Sequence, residues 1–329
     1  MPDLNQITSA WGLELYHAEQ IKDVYRIETN QGVKNLKVSP LNPKQLNFVH
    51  QAVLHLSQNG FQKMTPLIKT LTGNTYVDDG QFAYTLFNWI EGKQCRLRYP
   101  HELATATAIL AEFHFCSQGF TPTSSTKLRS RVGKCPQNFE KRYQELLYYK
   151  KIAALTSSDR FAQLYLKNVD FYLPLAAQAM LQLKNTTYLE LVDKNNLKKP
   201  LAHGDPAARN FIITPEKKIY MIDFDSCRLE LPILDLIKFA RRVLKKYHWK
   251  FEIFATMLQA YQTVQPLSSS ELEVMKAVLY FPQKFWRMSN RYFEQHDQRS
   301  PERLTHKFEK LLKEKKNFAH FQIEFQKYR

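Results

Sequence analysis

The opening of the chain alternates between apolar and polar positions, which is the pattern of strands that bury one face. Residues 23–29 alternate in this way and are rich in β-forming side chains. Asn30, Gln31 and Gly32 follow as a turn, in which Gly32 can take the positive φ that most residues avoid. Residues 33–38 then predict the return strand of a hairpin.

A helix and a second hairpin complete the elements predicted for this part of the chain. Residues 46–56 place leucines and valines near helical spacing, and Asn59 and Gly60 provide a helix end. Residues 75–77 and 81–87 lie on either side of an Asp-Asp-Gly turn and predict two paired strands. The pattern therefore predicts a small antiparallel sheet with one helix.

Beyond Glu91 and Gly92 the apolar positions recur at helical spacing. The predicted helices cover residues 101–117, 138–155 and 161–183 and resume from Leu234. One β-rich stretch, residues 210–223, interrupts them. The pattern predicts an α+β protein with a small β-rich domain, residues 1–90, and a large, mainly helical domain, residues 91–329.

The balance of basic and acidic residues indicates which class of binding partner is favoured. The 329 residues include 47 Lys and Arg against 31 Asp and Glu, which gives a formal net charge of +16. Residues 127–151 hold eight basic and two acidic side chains, and residues 238–250 hold six basic and no acidic ones. Such an excess favours anionic partners. Nucleic acid is the less favoured one because the aromatic residues are not interleaved with base-contacting motifs. A solvated helix face is the interpretation for Arg241, Arg242, Lys245 and Lys246.

Several classes of protein are disfavoured by what the sequence lacks. The four cysteines form no Cys-x-x-Cys pair, which argues against a structural zinc site and a disulfide framework. No run approaches the roughly 18 apolar residues of a membrane span. The polar start, Met1-Pro2-Asp3, shows no secretory signal. We therefore expect cytoplasmic synthesis without a signal peptide, and no membrane partner.

The residues that carry chemistry lie on and around the β-rich stretch. Asp205 and Asn210 are five residues apart on the loop that enters it, and Asp223 ends the return strand. A tight hairpin brings its two ends together, so Asn210 and Asp223 can converge on one point. Oxygen ligands of this kind suit Mg²⁺, which also takes phosphate oxygens. Asp205 can then accept a hydrogen bond from an incoming hydroxyl, as phosphoryl transfer requires.

The same residues resemble a known group of enzymes. His203-x-Asp205-x-x-x-x-Asn210, followed by Ile-Asp223-Phe-Asp225, resembles the active-site segment of the aminoglycoside phosphotransferase and choline kinase group of protein-kinase-like enzymes. The longer string His-Gly-Asp-Pro-Ala-Ala-Arg-Asn-Phe, with Leu-Pro-Ile-Leu-Asp-Leu-Ile-Lys further on, is more closely similar to the CotS-type spore coat proteins of endospore-forming bacteria. The resemblance spans most of the chain and implies a two-lobed kinase-like fold and a location in the spore coat.

The resemblance also implies roles for single residues of the loop. Asp205 takes the position of the catalytic base, and His203 supports the loop. Arg209 supplies positive charge, because Ala207 stands where protein kinases have a lysine. Asp235, at the start of the next helix, resembles an acid that braces the loop.

ATP and Mg²⁺ are the cofactors that the resemblance implies. Lys37, on the strand after the Gly32 turn, takes the position of the lysine that pairs with the α- and β-phosphates. The segment that looks like the hinge supplies further cofactor-binding residues, namely Asn88, Trp89 and Ile90. The metal positions are Asn210, Asp223 and Asp225.

Two features depart from an active kinase. The loop between the first two strands, taken as residues 17–23, contains no glycine, so its backbone is less able to cradle phosphate. The helix after Lys37 offers no glutamate to pair with it, and His50 and Gln51 are the nearest polar candidates. We therefore expect weak nucleotide affinity, and an acid from elsewhere, Asp223, as the partner of Lys37.

Three functions stay open at this point. An enzyme would transfer the γ-phosphoryl group of ATP to a hydroxyl of an unknown small-molecule acceptor. A catalytically idle scaffold of the same fold would bind other spore coat proteins through its basic surfaces. A protein that binds polyanions without chemistry is the third, and a strong salt dependence of binding would favour it.

Overall fold

The computed structural model describes residues 2–124, 126–156, 158–294 and 301–328. The chain divides into two compact units. The first unit comprises Met1–Ser130, Asn195–Leu236 and Gln259–Gln265, and the second unit comprises Arg131–Lys194, Ile237–Leu258 and Pro266–Arg329. The organisation into domains of residues 1–90 and 91–329 follows the change from strands to helices, and it stays a prediction.

The secondary structure is that of an α+β protein, as predicted. The strands are β1 Leu15–Ile21, β2 Val24–Thr29, β3 Gly32–Ser39, β4 Leu67–Ile68, β5 Val77–Asp78, β6 Ala83–Asn88, β7 Lys93–Gln94, β8 Leu201–Ala202, β9 Phe211–Ile213, β10 Ile219–Met221 and β11 Arg228–Leu229. The helices are α1 Leu4–Ser9, α2 Pro43–Gln58, α3 Pro100–Cys116, α4 Cys135–Leu155, α5 Arg160–Lys184, α6 Tyr188–Lys198, α7 Pro232–Leu244, α8 Phe251–Gln262, α9 Ser269–Tyr280, α10 Gln283–Phe293, α11 Pro301–Lys313 and α12 Lys315–Lys327. Short 3₁₀ turns cover Ala208–Asn210, Phe224–Ser226 and Lys245–Tyr247.

An antiparallel sheet forms the N-terminal part of the first unit. Its strand order is β1-β2-β3-β6-β4, and β5 pairs with β6. Both predicted hairpin pairings are confirmed: Thr29 lies opposite Gly32, whose φ is +84°, and Val77 lies opposite Tyr84. Side chains of the sheet pack with those of α1 and of the segment between α1 and β1 into one buried cluster, namely Ile7, Trp11, Leu13, Ile27, Leu36, Tyr84 and Leu86.

The first strand differs from the sequence prediction. Most of residues 17–23, interpreted as a glycine-free loop, belong to β1, which pairs with β2 as far as Ile21 and Val24. Only Lys22 and Asp23 remain in the turn, and Lys22 has a φ of +61°. The strand was missed because five of its seven residues are exposed, so its hydrophobic alternation is weak.

The predicted helix after the first hairpin is α2, and it is longer than predicted. Asn42 caps its first turn: the Asn42 side chain accepts from the Gln45 backbone N–H, and the Gln45 side chain accepts from the Asn42 backbone N–H. Pro43 suits the first helical position because no hydrogen bond partner exists there for its missing N–H. The helix contacts the Phe224–Ser226 turn, which follows the β9–β10 hairpin.

Short strand pairs hold the β9–β10 hairpin and the segments on either side of it in the first unit. β7 pairs with β9, and β8 pairs with β11. The sequence predicted the β9–β10 hairpin alone, since a strand of two residues cannot show a period of two. These pairs fix where the hairpin and its preceding loop lie in the first unit.

Helices packed through aromatic side chains form the second unit. The predicted helices over residues 138–155 and 161–183 are confirmed as α4 and α5, which contact each other. Phe285 of α10 stacks on Tyr172 and Tyr165 of α5, with ring centroids 4.0 and 5.2 Å apart. Phe308 of α11 lies 5.3 Å from Phe285. Aromatic packing therefore sets how α5, α10 and α11 lie together.

The interpretation of a solvated basic helix face is wrong for Arg241. Its guanidinium donates to the carbonyl oxygen of Val278 and, at 3.3 Å, to that of Phe281. These carbonyls lie at the C-terminal end of α9, where a helix leaves acceptors without internal partners. Lys245 and Lys246 are exposed, as predicted.

No helix in the described ranges combines the length and apolar character needed to cross a bilayer.

Candidate active site

The β9–β10 hairpin joins the two ends of the predicted site. Phe211 pairs with Met221, and the backbone N–H of Ile222 donates to the Asn210 carbonyl at 3.0 Å. Asn210 and Ile222 are therefore neighbours at the open end of the hairpin, and Asp223 follows directly. The convergence of the Asn210 and Asp223 side chains on one metal ion stays a prediction.

His203 links the loop to the hairpin. Its Nδ1 accepts from the Asp205 backbone N–H at 3.3 Å, and its Nε2 lies 3.0 Å from the Ile222 carbonyl oxygen. Because a carbonyl oxygen only accepts, the ring carries its proton on Nε2. Burial lowers the pKa of His203 in spite of the charge of Asp235. A neutral histidine thus holds Asp205 close to Ile222, in agreement with a supporting position.

Gly204 is required by the path of the loop. Its φ is +79°, a conformation that L side chains rarely adopt. A Cβ atom at this position would also overlap the Ser226 carbonyl oxygen and the Arg228 guanidinium. The loop therefore passes directly against the turn that follows Asp223.

Asp235 braces the loop, as predicted. It is 1% exposed in the first turn of α7 and accepts from the backbone N–H groups of His203 at 2.8 Å and Gly204 at 3.1 Å. Nε2 of His114 lies 3.3 Å from the same carboxylate. Burial alone would raise the pKa of Asp235, but the hydrogen bond and charge of His114 lower it. The loop is therefore held by a buried carboxylate with partners on each oxygen.

The contribution of His114 was missed by the sequence analysis. This residue is buried on α3, and its Nδ1 lies 2.8 Å from the hydroxyl oxygen of Tyr261. The chain Tyr261–His114–Asp235 connects residues from three distant segments. A histidine among apolar positions of α3 was the one available signal, and such a residue is more often a packed core side chain.

The predicted acid partner of Lys37 is confirmed, and its contact with phosphate stays a prediction. It sits in β3 opposite Val24 and Thr85, and its side chain is 10% exposed. Its Nζ is 2.7 Å from Asp223 and 2.8 Å from Asp225. Burial alone would lower the pKa of Lys37, but the charges of Asp225 and Asp223 raise it. One lysine thus neutralises part of the charge of two carboxylates.

Asp223 adopts an unusual backbone conformation. Its φ is +68° and its ψ is +71°, in the left-handed region that few residues other than glycine visit. Burial would raise the pKa of its carboxyl, but the charge and hydrogen bond of Lys37 lower it. Such strain persists where neighbouring contacts hold it, and it concentrates at functional sites.

Neither of the two polar candidates on α2 replaces the missing glutamate with a charge. His50 is buried, and its Nδ1 lies 2.8 Å from the Thr75 hydroxyl oxygen. Burial and the charge of Lys37 lower the pKa of His50 to about 4, so a neutral ring lies near the lysine. Gln51 instead exchanges two hydrogen bonds with Thr123. The charge on Lys37 is therefore balanced by Asp223 and Asp225.

Arg209 and Asn210 contact different parts of Asp205. The Arg209 guanidinium forms an ion pair with the Asp205 carboxylate. The Asn210 side-chain amide donates to the Asp205 carbonyl oxygen at 2.9 Å. This orients the amide nitrogen of Asn210 toward the loop and leaves its oxygen as the free end of the side chain.

The proposed hinge residues continue from β6. The Asn88 side chain accepts from Lys34 at 2.9 Å, and the Trp89 backbone N–H donates to Val33 at 3.2 Å. The guanidinium carbon of Arg26 lies 5.9 Å from the centre of the Trp89 ring. Ile90 is partly buried. The backbone N–H of Trp89 is thus engaged in the sheet, and nucleotide binding by these residues stays a prediction.

The oxygen atoms at this site fit Mg²⁺. The free end of Asn210 is a carboxamide oxygen, and Lys37 engages one oxygen each of Asp223 and Asp225. Across the described residues, no group of three His, Cys, Asp or Glu side chains is arranged to hold a metal ion. Mg²⁺ bound by one or two carboxylates together with phosphate oxygens and water needs no such group.

The sequence is similar to known proteins over most of its length. A family model described as "Spore coat putative kinase YutH" matches residues 4–325. Spore coat protein S of Bacillus subtilis strain 168 is 27% identical over 277 residues, which cover 83% of this chain and 77% of that protein.

The solved structures show the fold. The aminoglycoside phosphotransferase of Alicyclobacillus acidocaldarius superposes with a TM-score of 0.87 at 20% identity, over 99% of this chain and 95% of the other. A spectinomycin phosphotransferase in complex with ADP and spectinomycin gives a TM-score of 0.63 at 15% identity, over 97% and 96%. The predicted kinase-like fold is confirmed. The chain therefore belongs to the family described as spore coat putative kinase YutH.

Proposed function

We propose that this protein is an ATP- and Mg²⁺-dependent phosphotransferase that acts on a hydroxyl group of a small-molecule acceptor. The observation that carries this proposal is the contact of buried Lys37 with both Asp223 and Asp225, beside a loop that holds Asp205 and Asn210. An idle scaffold has no need to keep a strained aspartate next to a buried lysine. Localisation in the spore coat and binding to other coat proteins belong to the same proposal.

Each residue has a distinct part in the reaction. Magnesium-bound ATP would supply the phosphoryl group, and the charge of the metal ion would balance that of the phosphates. Asn210 and Asp223, with Asp225, would hold the metal, and Lys37 would contact the phosphates. Asp205 would accept the proton of the acceptor hydroxyl, since Asn210 and His203 hold its backbone in place. Arg209 would keep the Asp205 carboxylate directed by their ion pair.

The idle scaffold is the second candidate, and two observations favour it. The turn between β1 and β2 consists of Lys22 and Asp23, which are too few and too bulky to wrap phosphate as a glycine-rich loop does. Lys37 also engages the acids that the metal needs. On this alternative the protein binds coat partners without chemistry.

Calorimetry with ATP and Mg²⁺ separates the two candidates. The phosphotransferase should release or absorb heat on titration with millimolar Mg²⁺-ATP, and Asp223→Asn should weaken this binding because it removes a metal ligand's charge. Asp205→Ala should leave binding nearly unchanged, because Asp205 serves the acceptor. Asp170→Asn is the matched control: it makes the same chemical change at an exposed position of α5 and should leave the titration unaltered.

Turnover gives the second measurement. Labelled ATP is incubated with the protein and an extract of sporulating cells, which supplies unknown acceptors. Asp205→Ala should lower the label transfer by roughly 10²–10⁴-fold, the range of a positioned general base. The scaffold is the correct interpretation if no heat signal and no protein-dependent label transfer are found. Polyanion binding alone would instead show a steep salt dependence that neither substitution changes.

A further inference from the structure

Two arginines from distant segments lie side by side near the loop that carries Asp205. The backbone N–H of Leu229 in β11 donates to the Arg129 carbonyl at 2.8 Å, and Ser130 forms a parallel bridge with Leu229. Residues one position earlier in two parallel segments share the opposite face, and the segments lie about 4.8 Å apart. Arg129 and Arg228 therefore project from the same face of neighbouring backbones. The name arginine pair is used here for these two residues.

The guanidinium of Arg228 is fixed against the loop. Its Nη1 donates to the Ser226 carbonyl at 3.1 Å, and its Nη2 forms an ion pair with Glu230. The side chain is 13% exposed, and a Cβ atom at Gly204 would overlap Nη1. Because Gly204 directly precedes Asp205, the arginine pair lies beside the loop. All of these residues belong to the first unit.

The arginine pair has hydrogen-bond donors that the protein leaves unused. Nη1 of Arg129 and Nε of Arg228 are shielded from solvent, and neither has an acceptor within the part of the chain that the structure describes. Glu230 pairs with Arg228, whereas none of the ion pairs found among the described residues includes Arg129. Burial and the charge of Arg228 lower the pKa of Arg129, in spite of the opposing charge of Asp225. One of the two positive charges is therefore left without an anionic partner.

We propose that the arginine pair binds a compact oxyanion, the phosphate group of a small molecule. A guanidinium N–H bonds strongly to a charged oxygen, and the two unused donors belong to neighbouring guanidinium groups. The diverging oxygens of one tetrahedral phosphate can accept from both, which also balances the second positive charge. Leu128 and Ser130 are exposed on either side of Arg129, so this segment lies at the surface. The site does not depend on phosphoryl transfer.

Calorimetry with inorganic phosphate tests the site on the full-length chain, without ATP or Mg²⁺. The titrations are made at constant ionic strength in sodium chloride, so that general screening stays fixed. Arg129→Gln should weaken phosphate binding about tenfold or more, as the loss of a hydrogen bond between charged groups does. Arg131→Gln makes the same chemical change at an exposed position two residues further on, and it should leave the affinity unchanged.

Modification by phenylglyoxal, followed by mass spectrometry, gives a readout at single residues. The reagent attacks the guanidinium group of arginine, so the rate at each residue reports whether its side chain is covered. Saturating phosphate should slow the modification of Arg129 several-fold and leave that of Arg131 unchanged. This measurement needs no substitution, so it stays informative if Arg129→Gln folds poorly.

Four results would overturn the proposal. Equal phosphate affinity in Arg129→Gln and the wild type places the phosphate elsewhere, for example at Lys37. An equal loss in Arg131→Gln assigns the binding to general charge. Acetate that binds as tightly as phosphate identifies a site for any small oxyanion rather than for a phosphate group. The absence of both a heat signal and protection of Arg129 leaves water as the partner of the two N–H groups.

Discussion

The candidate active site and the surroundings of Lys284 on α10 differ in how a partly buried charge is compensated. In the active site each buried charge meets a partner of opposite sign or a polar backbone group: Lys37 lies between Asp223 and Asp225, and Asp235 accepts from two backbone N–H groups. Lys284 is half-buried, and burial together with the charges of Lys245, Arg287 and Lys307 lowers its pKa to about 8.

This difference separates charges that the fold compensates from one that it leaves among like charges. The Lys37 contacts and the Asp235 brace keep the active site in shape without a bound molecule, because their charges are already compensated. The charges that act on Lys284 are of its own sign, so its charged form is destabilised in the folded protein. Substitutions should therefore change stability with opposite signs in the two regions.

The largest effect is expected from breaking the brace of the active site. Asp235→Ala leaves the N–H groups of His203 and Gly204 buried without acceptors and removes the partner of His114. Breaking a buried charged network of this kind costs about 3–5 kcal/mol of unfolding free energy. Urea denaturation followed by circular dichroism measures this cost.

Asp235→Asn is the matched control for this prediction. It has nearly the same shape and keeps one oxygen acceptor, so it should lose about half as much stability or less. A loss below about 1 kcal/mol in Asp235→Ala would contradict the view that the active site depends on paired charges.

A pH titration should show the second largest effect, at His50. The pKa of His50 is lowered from 6.5 to about 4, so below pH 6.5 the unfolded chain takes up a proton that the folded protein excludes. The stability due to neutral His50 is present above pH 6.5 and is lost as the pH falls to about 4. The full loss is on the order of 3 kcal/mol.

The variant His50→Gln isolates this contribution, because glutamine does not titrate and can still bond Thr75. Its unfolding free energy should fall less than that of the wild type between pH 6.5 and 4. The exposed His320→Gln should follow the wild type. An unchanged pH slope in His50→Gln would show that the ring near Lys37 titrates freely.

Local spacing explains what could be predicted from the sequence. The hairpins, Asp205, Asn210 and Asp223 lie within short segments whose turns determine the geometry, and the family was recognised from the same residues. The Lys37–Asp223 contact was predicted because α2 has no glutamate to pair with Lys37. The contact of Lys37 with Asp225 was not predicted.

Long-range packing explains what could not be predicted. The contact of His114 with Asp235 joins residues 121 positions apart, and no periodicity in either segment reports it. The charges that act on Lys284 likewise come from three helical segments. Arg241 illustrates the same point, since its partners are carbonyl groups of another helix. Aromatic contacts such as Phe285–Phe308 determine which helices pack against one another.

The smallest effect, and the one of opposite sign, is expected at Lys284. Lys284→Met removes a charge that other cations destabilise and keeps the length of the side chain, so it should stabilise the protein by about 1 kcal/mol at pH 7, a value reduced for solvent screening. The pKa of Lys284 is lowered from 10.5 to about 8, so the unfolded wild type binds the proton more readily. The wild type therefore gains stability as the pH rises from 8 to 10.5, and the advantage of the variant should shrink over that range. Urea denaturation at pH 7 and pH 10 measures the sign of the effect and its decrease. If Lys284→Met is destabilising at pH 7, the cations do not repel one another strongly, and the contrast between the two regions disappears.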